Sequence, residues 1–178
     1  MAKLRRARAY RAIERPYTRI SKYKKKSFIR VNPQRKVVRF DMGDPRKEYF
    51  YSLHLVPKMT LQIRQESMES ARQTAVRVLE KQLGKNGFHF KIRIIPYHVL
   101  RENPLASGAG ADRMSTGMAR PFGKAIGISA RIKEGHKFMT VSVDKDALLV
   151  GKKALQRAAR KLSCSFWIRV EENIKKSK

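Results

Sequence analysis

The sequence predicts an α+β fold in which short strands pack with two helices. Apolar and polar side chains alternate in segments that begin near positions 50, 88, 126 and 139, as they do in half-buried strands. Two further segments, about 60–83 and 144–162, repeat apolar residues every three or four positions, which forms one face of a helix. The chain has 178 residues, of which 42% are hydrophobic, so it can build one core with extensions.

The first strands are predicted in segments 37–43 and 50–56. The run VVRFDMG at 37–43 is rich in β-forming residues, and Asp44-Pro45 marks a turn after it. In segment 50–56, Tyr51, Leu53 and Leu55 share one side of the strand. We interpret His54, on the other side, as a strand histidine with a hydrogen-bond partner, because no second histidine stands at metal-ligand spacing.

The first helix is predicted from about residue 60 to residue 83. Pro57 and Thr60 introduce it, and Gly84 follows it where a left-handed cap would fall. Its apolar stripe comprises Met68, Ala71, Ala75, Val78, Leu79 and Leu83. The second helix is predicted from Asp144, as its N-cap, to about residue 162, with a stripe of Leu148, Leu155, Ala158, Ala159 and Leu162.

The remaining strands are predicted around a long loop. Segment 88–94 has apolar residues on one side and His89, Lys91 and Arg93 on the other. After the loop, segments 126–132 and 138–143 alternate again, and Glu134-Gly135 between them predicts a hairpin. A last strand is predicted at 164–171, with Phe166, Ile168 and Val170 inward and Trp167 and Arg169 outward.

The charge balance indicates a polyanionic partner. The chain has 42 Lys and Arg against 14 Asp and Glu, a formal net charge of +28. Nucleic acid is the first candidate and an anionic membrane surface is the second. The sequence has no long apolar run that could span a bilayer, and its start lacks the apolar region of a signal peptide. A single cysteine, Cys164, excludes an internal disulfide and a cysteine-based metal site.

Half of the excess charge lies in residues 1–40, which have fifteen basic residues and one acidic residue, Glu14. Tyr10, Tyr17, Tyr23 and Phe28 are interleaved with the bases, a pattern that suits RNA because cations meet phosphates and rings stack on unpaired bases. The alternative is a disordered solubilising tail. The predicted contacts here are Arg5, Arg6, Arg8, Arg11, Arg15, Arg19, Lys22, Lys24, Lys25 and Lys26.

The segment 98–124 is predicted to be a long loop that lies against a partner. Gly108, Gly110 and Gly117 interrupt regular structure, and there is too little apolar mass between positions 103 and 116 to pack on itself. Three arginines in this segment face only two acids. The alternative is a surface loop without a partner.

No site of chemistry is predicted. The run GAGADR at 108–113 lacks the third glycine of a dinucleotide fingerprint, and GMARPFGK at 117–124 has the wrong spacing for a phosphate loop, with Ala125 where Ser or Thr must bind magnesium. The four histidines are scattered, and no catalytic residue, metal or cofactor is predicted. Two alternatives stay open: an RNA-modifying or RNA-processing enzyme with a mobile substrate loop, and a peripheral membrane protein.

Several long motifs in the sequence are nevertheless similar to those of a known protein family. They are KQLGKNGFHFKIRIIPYHVLREN at 81–103, GAGADRMSTGM at 108–118 and FGK at 122–124, with VRFDMG at 38–43 and RRARAYRAIERPYTR at 5–19. Together they resemble the large-subunit ribosomal protein family called L-ten-e, archaeal type, a relative of bacterial L-sixteen. The similarity extends over almost the whole chain.

The resemblance implies a hammerhead-like α/β sandwich with two helices packed on a mostly antiparallel sheet. It implies a basic rRNA-binding extension at 1–36, a core at 37–172 that contains an extended loop at 102–123, and a basic tail at 173–178. In the cytoplasmic large ribosomal subunit, such a protein supports tRNA positioning and leaves catalysis to rRNA. The implied partners are 23S-type rRNA, nearby 5S rRNA, the acceptor and elbow regions of tRNA, and neighbouring ribosomal proteins.

The resemblance also assigns residues. The loop near the tRNA and the peptidyl-transferase centre would comprise Arg101, Ser107, Gly108, Ala109, Gly110, Ala111, Asp112, Arg113 and Met114. We expect further rRNA contacts from the core at Arg64, Arg72, Lys91, Arg93, Arg120 and Lys124. Asp112 is expected to bond Arg113 or loop amides, since an acid beside RNA is costly unless it is paired.

Overall fold

Eight strands and two α-helices form the regular structure of the described residues, which are 21–29, 33–102, 108–110 and 123–173 of a computed structural model. The helices are α1 (Gln65–Leu83) and α2 (Leu148–Ala159). The strands are β1 (Asp41–Gly43), β2 (Tyr51–Pro57), β3 (Leu61–Arg64), β4 (His89–Ile92), β5 (His98–Glu102), β6 (Lys124–Ile132), β7 (Met139–Val143) and β8 (Phe166–Glu172).

The strands form two antiparallel sheets. The larger has the order β1-β4-β7-β2-β8, and the smaller has the order β3-β6-β5. Every neighbouring pair in both sheets is antiparallel. Strands β4, β7 and β2 are therefore internal in the large sheet, and β6 is internal in the small one.

The two helices pack on these sheets and on each other around one apolar cluster. Helix α2 contacts β2, β7 and β8, whereas α1 contacts β3 and β6. The cluster includes Leu53, Phe88, Phe90, Phe138 and Met139, each 1% exposed or less. Burial of each such side chain contributes about 1.5–3 kcal/mol. The predicted fold class, α+β with two helices on antiparallel sheets, is confirmed.

The first helix begins later than predicted, because residues 61–64 form strand β3. Leu61 and Ile63 are buried, and they pair with Ile132 and Ala130 of β6. The prediction from residue 60 overlooked this short alternation of period two. From Met68 onwards the helix agrees with the predicted stripe, and Gly84 ends it with a positive φ of 71°.

The predicted hairpin of segments 126–132 and 138–143 is wrong. The turn at Glu134-Gly135 exists, but β6 and β7 belong to different sheets. Both edges of β6 are occupied by β3 and β5, and both edges of β7 by β2 and β4. The turn therefore transfers the chain from one sheet to the other.

Two predictions near the end of the core also need correction. Asp144 does not cap the second helix with its side chain, whose carboxylate accepts a bond from Lys47 Nζ at 2.7 Å. A 3-10 turn at Lys145–Ala147 follows it, and α2 ends at Ala159 rather than near residue 162. Val170 was predicted to face inward, yet it is 39% exposed, because only Phe166 and Ile168 of β8 reach the apolar cluster.

Gly43 offers a stability test at the contact between β1 and β4. Its φ is +87°, and an added Cβ would lie 1.9 Å from the Phe88 carbonyl oxygen. We expect Gly43→Ala to lower the free energy of unfolding by about 2–4 kcal/mol, since both the backbone and the contact become strained. Gly84 also has a positive φ, but nothing lies within 4 Å of its added Cβ. Gly84→Ala should therefore cost only about 1 kcal/mol. Urea unfolding followed by circular dichroism measures both, and equal losses would contradict the close contact.

Candidate nucleic-acid interface

The described part of the basic extension presents a small cluster of cations around Tyr23. Lys24–Lys26 form a 3-10 turn, and all three residues are exposed. The Nζ atoms of Lys22 and Lys26 lie 5.1 and 5.3 Å from the centre of the Tyr23 ring. The other predicted contacts of the extension, Arg5, Arg6, Arg8, Arg11, Arg15 and Arg19, lie outside the described residues.

The extension is fastened to the core at the start of α1. The buried Gln65 side chain donates to the Gln34 carbonyl at 3.1 Å and accepts from the Lys36 amide at 3.0 Å. Lys36 also forms an ion pair with Glu66 at 3.1 Å, and Val37 is 2% exposed. These contacts hold residues 34–37 in place on the core.

The long loop starts and ends on paired strands. The antiparallel ladder of β5 and β6 extends to Glu102 opposite Lys124, with a bulge between Leu100 and Arg101. Lys124 is exposed at the mouth of the loop, and Arg101 is half-buried beside it. The two ends of the loop are thus held at the separation of neighbouring strands, about 5 Å. The prediction that both ends are tied into a sheet is confirmed.

Only part of the predicted loop site is described. Gly108, Ala109 and Gly110 are exposed, and the two glycines have φ angles of +139° and +82°. Such angles favour glycine, which also lets a backbone approach a phosphate closely. Ser107, Ala111, Asp112, Arg113 and Met114 lie outside the described residues, as does Arg120 of the predicted core set. The expected bond of Asp112 stays a prediction.

One face of the small sheet brings together arginines and a histidine, and much of it is buried, since Ser129 is 0% and His98 7% exposed. Arg64, Ser129 and His98 lie side by side across β3, β6 and β5, on the face opposite the apolar Ile63 and Ala130. Arg131, two residues along β6, shares this face. We missed Arg131 as a candidate, although its alternation with Ile132 and Ala130 could have indicated it.

The pKa of His98 is affected by its burial and by the positive charges near it. It is 7% exposed, and its pKa is lowered to about 4, first by burial and then by the positive charges of Arg131 and Arg101. Its Nδ1 has no hydrogen-bond partner within the described ranges. The imidazole is therefore neutral at physiological pH, so it adds no charge to the cations around it.

Three other cations that were predicted to contact rRNA form hydrogen bonds or ion pairs within the protein. Lys91 pairs with Asp41 at 3.3 Å, and Arg93 Nε donates to Thr140 Oγ1 at 2.6 Å. Arg72, on α1, holds Glu69 with two bonds, and its Nε–Oε2 distance is 2.8 Å. These three residues stay predictions as rRNA contacts.

A polar network continues from Thr140 across the large sheet. The side chain of His54, 2% exposed, contacts Thr140 Oγ1 at 2.9 Å through Nδ1 and Glu171 Oε2 at 3.1 Å through Nε2. Lys137 Nζ donates to the same Glu171 oxygen at 2.6 Å. Burial, followed by the charge of Lys137, lowers the pKa of His54. The interpretation of His54 as a strand histidine with bonded partners agrees with this network.

The described ranges lack two other kinds of feature, a metal cluster and a membrane-spanning helix. No three His, Cys, Asp or Glu side chains there stand close enough together to hold a metal ion. No helix in the same ranges is both long and apolar enough to cross a bilayer.

The pKa of His98 leads to a test of folding stability against pH. An unfolded histidine takes up a proton near pH 6.5, whereas folded His98 stays neutral down to about pH 4. Between these values the unfolded state binds the extra proton, so the free energy of unfolding falls as the pH falls. We expect the fall to be smaller in His98→Gln than in the unsubstituted chain, by about 2 kcal/mol. Urea unfolding at both ends of this pH window measures the difference, and equal falls would contradict a neutral buried His98.

Comparison with known proteins assigns the chain to a family. Residues 17–169 match the family model for ribosomal protein L16p/L10e. The chain is 41% identical over 159 residues to large ribosomal subunit protein uL16 of Methanococcus maripaludis strain S2, and the match covers 89% of each chain. The protein of the same name from Methanococcus aeolicus is also 41% identical with the same coverage, and that of Methanococcus maripaludis strain C7 is 39% identical. A match over this much of its length shows that the chain belongs to the ribosomal protein L16p/L10e family.

Proposed function

We propose that this chain is a structural constituent of the large ribosomal subunit, where it binds rRNA and extends its long loop towards the peptidyl-transferase centre and the acceptor ends of bound tRNA. The relatives named above are large-subunit proteins by name. The family is one of structural ribosomal proteins, so the chain is not an enzyme. Its proposed partners are large-subunit rRNA and neighbouring ribosomal proteins, with 5S rRNA nearby.

The observation that best supports this proposal is the fixed base of the loop. The β5–β6 ladder ends at Glu102 and Lys124, and β6 is itself held by β3 on its other side. A loop with such a base starts and ends at fixed points on the core, so contacts with rRNA have to order only the residues between them. Catalytic and binding loops on rigid scaffolds follow the same principle.

Electrostatics supports rRNA as the surface on which the protein sits. Arg64, Arg131 and Lys124 lie on β3 and β6. The whole chain carries a formal charge of +28, so it attracts a polyanion. Planar guanidinium groups bind phosphate through two parallel bonds. The domain boundaries proposed from the sequence fit this picture: an rRNA-binding extension at 1–36, a core at 37–172 and a basic tail at 173–178.

Sedimentation tests the proposal as a whole. Lysate from cells that express a tagged copy is separated on sucrose gradients at physiological salt and then at high salt. We expect the chain to travel with the large subunit at physiological salt, because phosphate contacts dominate its binding. Its appearance at the top of the gradient, while the large subunit stays intact, would contradict the proposed function.

Lys124 tests the role of the loop mouth. Each phosphate contact that is lost should reduce the salt slope of RNA binding by about 0.7–0.9. We expect this reduction for Lys124→Ala, with weaker binding to isolated large-subunit rRNA in filter-binding titrations over a range of salt. Lys153→Ala removes the same charge from an exposed position on α2 and serves as the control. Equal slopes for the two variants would show that net charge matters and the loop mouth does not.

A further inference from the structure

Trp167 lies on the outer side of β8, at one edge of the large sheet. Phe166 and Ile168 pack against the apolar cluster, so Trp167 and Arg169 project from the opposite side of the strand. The indole is 42% exposed. More than half of this side chain is buried, and the exposed part of the ring is left open to a partner.

Two cations flank the indole. Lys58 Nζ lies 5.5 Å from the ring centre, and the guanidinium carbon of Arg169 lies 6.0 Å from it. These distances are close to the limit of about 6 Å for a cation–π contact, so little is lost when either cation turns towards a phosphate. Within the described part of the chain, neither cation forms an ion pair. The nearest acid on this strand face, Glu171, is already bonded to Lys137 and His54.

An open groove adjoins Lys58, one of these two cations. It has a volume of about 540 Å³ and is lined by Lys58, Met59 and residues 162–165. The Lys58 backbone N–H donates to the Ser165 carbonyl at 3.1 Å, which ties the groove to the start of β8. Met59 is 46% exposed in this groove. The volume lies within the range of small-ligand sites, about 300–1,000 Å³.

We propose that Trp167, with Lys58 and Arg169, is a second RNA contact that stacks one unpaired base. The ring supplies the stacking surface, and the two cations bind the phosphates on either side of that base. This combination of an aromatic platform and flanking cations is how proteins hold single-stranded RNA without reading its sequence. The inference rests on the proposed function, to which it adds a contact on a different sheet from the base of the long loop.

Trp167 is the only tryptophan in the chain, so its fluorescence reports this site alone. The full chain is titrated at near-physiological salt with an unlabelled uridine 12-mer, and binding of a fluorescein-labelled 12-mer is followed separately by anisotropy. We expect the uridine 12-mer to quench the indole as it binds. An abasic 12-mer, which has the same phosphates but no bases, should bind with little quenching.

Substitutions distinguish the contribution of base stacking to RNA binding from the contribution of charge. Trp167→Leu should weaken binding of the uridine 12-mer about tenfold, whereas binding of the abasic 12-mer should stay the same. Arg169→Ala should weaken both and reduce the salt slope by about 0.7, the value for one phosphate of a single strand. Arg157→Ala, an equal loss of charge at an exposed position on α2, should leave the quenching unchanged.

The outcomes distinguish this inference from the proposed function. Absence of RNA binding in both assays would contradict rRNA binding itself. Normal anisotropy without quenching, or equal quenching by the abasic 12-mer, would overturn the Trp167 site and leave the proposed function standing. An indole response to vesicles of phosphatidylcholine and phosphatidylserine, but not to RNA, would overturn it in favour of a membrane surface.

Discussion

Mutual repulsion of like charges is the constraint that shapes this protein. A formal charge of +28 has to be distributed over 178 residues without placing an unpaired cation in the core. The fold meets this constraint by alternation: in β6, Ala130 and Ile132 enter the core while Arg131 faces outward. Where cations lie close to the sheets, acids neutralise them locally, as Asp41 does for Lys91 and Glu171 for Lys137. The remaining cations are stabilised most when a polyanion covers them, which makes RNA binding a consequence of the charge distribution.

The strands and helices were predictable from the sequence where one face is buried and the other is polar. Segment 88–92 and the stripe of α1 are examples, because their periods of two and 3.6 residues are unambiguous. The family resemblance came from long motifs and was confirmed by the comparisons. Residues 61–64 were misassigned because two apolar residues in four are compatible with either period, and only the pairing with β6 decides between them.

The other errors have the same origin, which is that pairing between distant segments leaves no local signal. Two alternating segments joined by a turn predict a hairpin, yet β6 and β7 have better partners elsewhere in the chain. Asp144 precedes a helical segment, yet Lys47, nearly a hundred residues earlier, takes its carboxylate. The candidate site shows a similar limit. Charge identified Lys124 and Arg64 as candidate contacts, but not the row that aligns Arg64 with Ser129 and His98.

The division into two sheets has a consequence for how the long loop can act. Closing a loop costs entropy that grows only with the logarithm of its length, so the roughly twenty residues between Glu102 and Lys124 cost the core little more than a short turn. The ladder below them is stabilised by β3 and by α1, which packs on β3 and β6. The free energy that stabilises the core and the free energy needed to order the loop are therefore largely independent of each other. We predict that the core folds without RNA, and that contacts with rRNA supply the free energy that orders the loop.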